Sequence, residues 1–283
     1  MKQKAIIFGT FEPWLERFKQ SSAAHDLEYV HIDPATAVFG LEDRRFTVNG
    51  AELLADSRLI VVLEEDYEAI YYSLALAKDA ATAMLNGDSV HAFPNFSNKF
   101  YQYQLLQKFS ERRFAATYFS ITPALLMDKI TPHETLAKVL NSSRGRGVFK
   151  LSGKSEIVQL ADEIKERMFV QKFIETDPVH DYRTILVGGK SVGTIKRTAT
   201  SGFKVSGTTD VVKTSEPSFI GGFESLARKL KLDLCGFDYF IEDERPIISE
   251  INRFPHFSGF AFDEPVGIDT AGLLVAHLLE KRA

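Results

Sequence analysis

Residues 235–256 read CGFDYFIEDERPIISEINRFPH: two runs of aromatic and β-branched residues, Phe237 to Ile241 and Ile247 to Ile251, separated by the charged segment Glu242 to Pro246. That composition predicts a hairpin. With Ile241 set opposite Ile247, Asp238 falls opposite Glu250 and Gly236 opposite Asn252. Side chains alternate faces along a strand, so Asp238, Glu250 and Asn252 share one face, and Gly236 leaves room beside Asn252. Two carboxylates facing each other across a ladder repel. A bound cation reverses that sign. Two carboxylates and an amide oxygen are hard ligands suited to Mg²⁺ or Mn²⁺, which take the rest of their shell from water and nucleotide phosphates. The alternative is a solvated face whose acids point at water. Ile247, Ile248, Ile251 and Phe254 favour the cation, because they imply a buried strand in which unpaired carboxylates are costly.

At 283 residues, with 45% hydrophobic and 25% charged content, the chain has the make-up of a soluble globular protein of two or three lobes. A net charge of −4 without a long basic block argues against nucleic-acid binding as the main task. The N-terminal MKQKAIIFGTF does not read as a signal peptide, and no apolar run reaches the roughly 18 residues of a membrane span. The single cysteine, Cys235, excludes an intrachain disulfide and reads as a buried strand residue. A cytoplasmic location is the expectation.

Along the chain, Lys4 to Phe8, a helix from Pro13 to Ala24 and Leu27 to Ile32 begin an α/β layer. Phe46 to Gly50 suggests a small hairpin at Asn49-Gly50. Leu59 to Leu63 reads as a buried strand, and Glu68 to Leu85 as a long helix closed by Asn86-Gly87. Gly9 opens no Gly-x-Gly-x-x-Gly run, so the first 95 residues look like a supporting or substrate-side domain. Pro94 to Lys99 marks a boundary before a helix reaching Phe109, with Tyr103, Leu106 and Phe109 as its apolar stripe. Lys99 at that helix start opposes the helix dipole unless an anion lies near.

Strands are expected at Leu136 to Leu140 and Val148 to Leu151, around the loop Asn141 to Gly147 with its glycines, serines, Arg144 and Arg146. Such a loop can turn its N–H groups to a phosphate. Lys138, inside an apolar strand, wants an anionic partner. Phe169 to Ile174 is a further strand, and a second hairpin turns at Gly188-Gly189. Asp181, Arg183, Lys196 and Arg197 gather near its open end, as a surface ion-pair network or as something more. Residues 198 to 218, rich in Thr, Ser and Gly, read as a mobile loop. Phe223 to Leu230 and Thr270 to Lys281 read as helices.

Together and in this order, these residues resemble an ATP-grasp enzyme of the branch of ribosomal-protein glutamate ligases and glutathione synthetases. The resemblance covers residues 95 to 283 and rests on Asn98-Lys99, Lys138 with Gly145-x-Gly147-Val148, Val170-Gln171-x-Phe173-Ile174, Asp181-Tyr182-Arg183, Gly236-x-Asp238 and Glu250-Ile251-Asn252 with Pro255. It implies an α/β (α+β ATP-grasp) fold: an N-terminal α/β domain at 1–95, a lid subdomain at 96–168 and a core subdomain with the metal site at 169–283, clamping ATP. It further implies that Lys99 and Lys138 hold the phosphates, that the loop Ser142 to Val148, with Gly145 and Gly147, closes over them, that Gln171 and Phe173 meet adenine through their backbone and that Glu175 binds the ribose. Asp238, Glu250 and Asn252 would hold Mg²⁺ or Mn²⁺, and Arg183 and Arg197 would neutralise an acyl phosphate. The chain departs from the family pattern at Lys172, Val139 and Lys204.

The expected activity is an ADP-forming carboxylate–amine ligase with a small-molecule or peptide carboxylate and an amine as substrates. A kinase acting on a small-molecule hydroxyl and a nucleotide-binding module without turnover are the alternatives. No nucleic-acid or membrane partner is expected, and a homo-oligomer is left open.

Overall fold

Ala5 to Phe8 and Leu59 to Val62 are apolar on both faces, as strands covered on either side of a parallel sheet must be, and in a computed structural model of the chain they lie side by side. The structure describes residues 2–42, 45–52, 56–63, 73–74, 82–110, 113–142, 146–205 and 209–281. The first elements are β1 (Lys4–Phe8), α1 (Glu12–Ala24), β2 (Glu28–Ile32), β3 (Phe39–Glu42), β4 (Arg45–Val48), β5 (Ser57–Val62) and β6 (Ala83–Met84). Strands in the order β2-β1-β5-β6 form a parallel sheet. β3 and β4 pair separately, and the Asn49-Gly50 turn follows β4 instead of joining the pair.

The helix expected over Glu68 to Leu85 is corrected at its end. Ala83 and Met84 pair with Leu59 and Ile60 as the sheet's edge, and Asn86, at φ 53°, opens the short helix α2 (Gly87–Ala92) instead of closing a long one. Ser73 and Leu74 are helical, and the rest of that stretch before Thr82 lies outside the described residues.

A second, antiparallel sheet follows α3 (Lys99–Phe109). It comprises β7 (Thr117–Phe119), β8 (Thr135–Val139), β9 (Val148–Leu151) and, after α4 (Glu156–Ile164), β10 (Met168–Lys172), in the order β7-β10-β8-β9. β10, which begins where the third segment of the sequence division starts, is thus an inner strand of the second sheet. The third sheet contains β11 (His180–Val187), β12 (Lys190–Ala199), β13 (Thr209–Thr214) and, after α5 (Ile220–Lys229), β14 (Leu234–Glu242) and β15 (Arg245–Asn252). Its order is β13-β12-β11-β14-β15, all antiparallel. The loop expected over 198 to 218 is therefore corrected: Thr209, Val211, Val212 and Thr214 are β-branched residues suited to an edge strand, and they pair with β12. Two short stretches close the chain, α6 (Asp263–Val266) and α7 (Thr270–Glu280).

In the β14–β15 hairpin the turn is tighter than the sequence suggests. Asp243 and Glu244 alone make it, at φ 50° and 60°, the backbone that two-residue hairpins require. Ile241 consequently faces Pro246, not Ile247. A bulge at Ser249 then inserts one residue into β15 and brings Asp238 opposite Glu250 and Gly236 opposite Asn252. The expected pairing of the polar residues is present, by a different route. The room at Gly236 is taken by Pro255, whose Cβ would lie 2.8 Å from any added Cβ.

The parallel sheet and the third sheet share one core. Ile7, Trp14, Phe18 and Leu59 join Ile185, Leu234, Phe257 and Leu274 in a single buried cluster, with α7 packed on α1. A buried polar joint reinforces it. The Asn86 amide donates to the carbonyls of Leu234 (3.0 Å) and Arg253 (2.9 Å) and accepts from the N–H groups of Asp233 (2.7 Å) and Leu234 (3.1 Å). Asp233 in turn accepts from Asn86 N–H and pairs with Lys281 of the C-terminal end at 2.8 Å. Among the described residues no helix is long and apolar enough to cross a membrane.

Candidate active site

The alternation of the third sheet puts one row of polar side chains on a single face. Glu250 lies opposite Asp238 and Asp238 opposite Arg183, while Asp181, two residues from Arg183, lies opposite Arg197. Lys196 is paired with Tyr182 on the other face, so the four-residue cluster expected at the open end of the hairpin loses that lysine. Nor is it a surface network: the side chains of Arg183, Arg197, Asp181 and Asp238 are 10 to 14% exposed.

Both arginines are engaged. Arg183 donates from Nε and Nη2 to the two oxygens of Asp238, each at 2.7 Å. Arg197 binds Asp181 in the same bidentate way, at 2.7 and 2.6 Å, and reaches Asp238 Oδ2 at 3.2 Å. Burial alone would raise the Asp238 carboxyl, but the two guanidinium groups outweigh it and hold the pKa at about 2. Asp181 moves up, because burial and the neighbouring Asp238 charge prevail over Arg197. The like-charge repulsion expected between Asp238 and Glu250 is thus offset by side chains: Arg183 for one, Lys99 Nζ at 3.1 Å for the other.

Helix α3 grips the metal-side strand from behind. Asn98 caps it through Tyr101 N–H, and Lys99, Gln102 and Tyr103 lie on one face, at i, i+3 and i+4. Lys99 meets the Glu250 side chain and also donates to the Ser142 carbonyl. Gln102 Oε1 accepts from Ile251 N–H at 3.1 Å, and Tyr103 OH donates to the Ser249 carbonyl at 2.6 Å. The backbone on either side of Glu250 is therefore fixed by the helix that supplies its counter-charge. Periodicity marks Tyr103 as apolar stripe. Its hydroxyl and Gln102 are missed there, because their partners lie 146 and 149 residues away in the sequence.

From the second sheet comes Lys138, buried, with Nζ donating to Gln171 Oε1 at 2.8 Å, while Gln171 Nε2 donates to Thr117 at 2.9 Å. Burial and the nearby Lys99 lower the Lys138 pKa to about 8 against the pull of Glu250. Gln171 acts here through its side chain. Phe173 N–H is taken by the Glu134 carbonyl at 2.8 Å, so the expected backbone contact from that N–H to adenine is corrected: Phe173 offers the cavity its ring or its carbonyl. Gly147, at φ 71°, sits where a Cβ would lie 2.8 Å from Val139, and its carbonyl accepts from Val139 N–H. Ser143 to Gly145 lie outside the described residues. Cys235 is buried in β14, and burial pushes its thiol pKa up, as an inert core residue requires.

A cavity of about 410 Å³ opens over this face between the second and third sheets. Lys99, Lys138, Ser142, Val148, Gln171, Phe173, Arg183, Arg197, Asp238, Glu250 and Asn252 all line it; Gly147 supports its wall from behind, and Glu175 is exposed outside it. Phe203 and Lys204 reach across to the second sheet, the ring 6.2 Å from Phe173 and the ammonium 5.8 Å from Phe149.

The donor set suits a divalent ion. Asp238 Oδ1 receives one hydrogen bond and keeps a lone pair, and Glu250 Oε2 is turned away from the Lys99 contact at Oε1. Among the described residues no group of three His, Cys, Asp or Glu side chains could hold a metal. Two carboxylates and the Asn252 amide are the small protein share that Mg²⁺ takes beside phosphates.

A protein of Halorhodospira halophila named probable alpha-L-glutamate ligase is 28% identical over 165 residues, 56% of this chain and 54% of that protein. The chain spans about half the length of the curated relatives it matches. The crystal structure of a RimK domain ATP-grasp protein from Sphaerobacter thermophilus superposes with a TM-score of 0.73 at 14% identity, covering 97% of this chain and 98% of that one. The ATP-grasp ligase PsnB, complexed with minimal precursor, Mg and ADP, gives 0.71 at 14% identity, covering 100% and 99%. These likenesses show an α+β ATP-grasp fold. Residues 97–278, from the cap of α3 through most of α7, match the RimK-like ATP-grasp domain, and the chain belongs to that family.

Proposed function

We propose that this protein is an ATP- and Mg²⁺-dependent carboxylate–amine ligase that works through an acyl phosphate. The carrying observation is the face shared by Asp238, Glu250 and Asn252 beneath a cavity that also receives Lys99, Lys138, Arg183 and Arg197. The PsnB complex with Mg and ADP and the glutamate-ligase name of the relatives support this reading. In the reaction a carboxylate oxygen attacks the γ-phosphorus of ATP and the bond to the bridging oxygen of ADP breaks. An amine then adds to the acyl carbon, loses a proton and expels phosphate, leaving an amide.

Asp238, Glu250 and Asn252 are the residues to hold Mg²⁺, which when bound offsets phosphate charge. Lys99 and Lys138 are placed for the phosphates, and the cavity walls at Gln171, Phe173, Val148 and Ser142 for the nucleotide. Arg183 and Arg197, locked to Asp238 and Asp181, present fixed donors to the charge that develops on the transferred group, where preorganised electrostatics lower the barrier most. Residues 96–168 form the lid side and 169–283 the core side of the clamp.

The deciding experiment supplies ATP, Mg²⁺ and a panel of carboxylates and short peptides, with hydroxylamine as the amine. ADP formation that depends on the carboxylate, with hydroxamate as product, is the expected result. ADP formation with a phosphorylated hydroxyl product would point to a kinase, and no ATP consumption across the panel would point to a binding module.

A further inference from the structure

The end of the cavity beyond Arg183 and Arg197 differs in kind from the rest. Its wall is Trp14, Leu63, Phe254, Pro255 and Ala261, with His256 at the rim. The cations Lys138, Arg146, Lys172 and Lys204 belong to the second sheet or to segments that fold against it. At this end Arg183 and Arg197 are matched one for one by Asp238 and Asp181. No excess positive charge is left there for a second carboxylate.

Trp14 supplies the polar feature of that wall. It is 4% exposed, stacked on Phe257 with ring centroids 5.3 Å apart and flanked by His256 at 5.2 Å, and its indole N–H has no hydrogen-bond partner. A buried donor without an acceptor costs free energy that a ligand oxygen can recover. We propose that this wall is the side-chain subsite for the acylated substrate, selecting a carboxylate borne on an apolar body, with a neighbouring carbonyl oxygen accepting from Trp14 Nε1, in preference to a diacid. The assignment rests on the ligase reading above and deepens it: the first 95 residues contribute the specificity-determining wall through Trp14 and Leu63.

Trp14 is the only tryptophan of the chain, so its emission reports this subsite and nothing else. The intact protein is titrated with N-acetylphenylalanine and with N-acetylglutamate, followed by Trp14 fluorescence and by calorimetry. N-acetylphenylalanine is expected to shift the emission and to bind roughly tenfold more tightly than the diacid, about the discrimination expected when one charged group is left without its partner. Trp14→Phe keeps a ring on Phe257 and removes the donor. It is expected to weaken N-acetylphenylalanine by roughly tenfold, the size of one hydrogen bond to a buried group, with the thermal midpoint as the check on folding. Equal or tighter binding of N-acetylglutamate, no binding of either compound, or an unchanged affinity in a folded Trp14→Phe protein overturns the subsite. Hydroxamate formation from the diacid alone would overturn it and leave the ligase reading standing, whereas selective binding of N-acetylphenylalanine without turnover would support the subsite and sink the ligase reading.

Discussion

Lys99 and Glu250 meet at 3.1 Å with side chains 7% and 25% exposed, so each is the other's main counter-charge in the free protein. Glu250→Gln leaves a buried ammonium with the Ser142 carbonyl alone. Loss of one member of a fully buried pair costs about 3–5 kcal/mol, and the partial exposure of Glu250 puts this case at or below the low end. A lowered thermal midpoint together with a fall in kcat of at least about a hundredfold is expected, because a ligand of the divalent ion goes with it. An unchanged kcat in the folded variant would remove Glu250 from the metal site. Lys138 gives a second test, in pH. Its pKa is near 8 in the folded protein against 10.5 for an ordinary lysine. The charged form is therefore disfavoured by folding, and from this group stability rises as pH goes from about 8 to 10.5, where the unfolded chain still binds the proton and the folded one does not. For ATP the sign is opposite. Above pH 8 the site must take up a proton to meet the phosphates, so affinity should fall by about tenfold per pH unit until the amine of the complex itself titrates. Lys138→Arg keeps its charge throughout and should flatten that profile; a titration of AMP-PNP affinity against pH checks both.

Among the elements, the β14–β15 hairpin and α3 act as one device. Tyr103→Phe removes the donor to the Ser249 carbonyl at the bulge and leaves the aromatic packing on Phe114 and Phe169 in place. Its stability cost should be near 1 kcal/mol, that of one hydrogen bond. The sharper readout is Mn²⁺ affinity in the presence of AMP-PNP, expected to weaken several-fold as Glu250 loses its fixed backbone; unchanged affinity would make Tyr103 a packing residue. The hairpin also shows what was legible in the sequence. Alternation of apolar and acidic residues identified the partners Asp238–Glu250 and Gly236–Asn252, but the turn was drawn too long and the bulge not foreseen, two errors of one residue that cancel. Lys99, Lys138, Arg183 and Arg197 were legible because a charge inside an apolar run needs an explanation. Gln102, Tyr103 and the Gln171 side chain were not, since polar atoms on an apolar stripe reveal their use only through contacts made across the fold. β13 was hidden by its Thr- and Ser-rich surroundings, and the end of the 68–85 helix by a pairing with Leu59 and Ile60 that no local pattern encodes.

For the molecule as a whole, the parallel sheet is tied to the third sheet by the shared core and by the joint at Asn86 and Asp233. Asn86→Ala would strand two carbonyls and two N–H groups in a buried place. At about 1–3 kcal/mol for each group left unsatisfied, a loss of at least about 4 kcal/mol is expected. If the joint couples the two layers, calorimetry of the parent protein will show a single transition and the variant will show it lowered or split; a small, uniform shift would mean that water substitutes for the amide. Lys281 and the helix α7 belong to the same joint although 170 or more residues separate them from the parallel sheet they pack on. For protein engineering this fixes where a graft can be cut. A chimera that exchanges residues 1–95 between family members to transplant the Trp14 wall would carry a foreign sheet onto a native α7, and the exchange should succeed only when residues 270–281 travel with it.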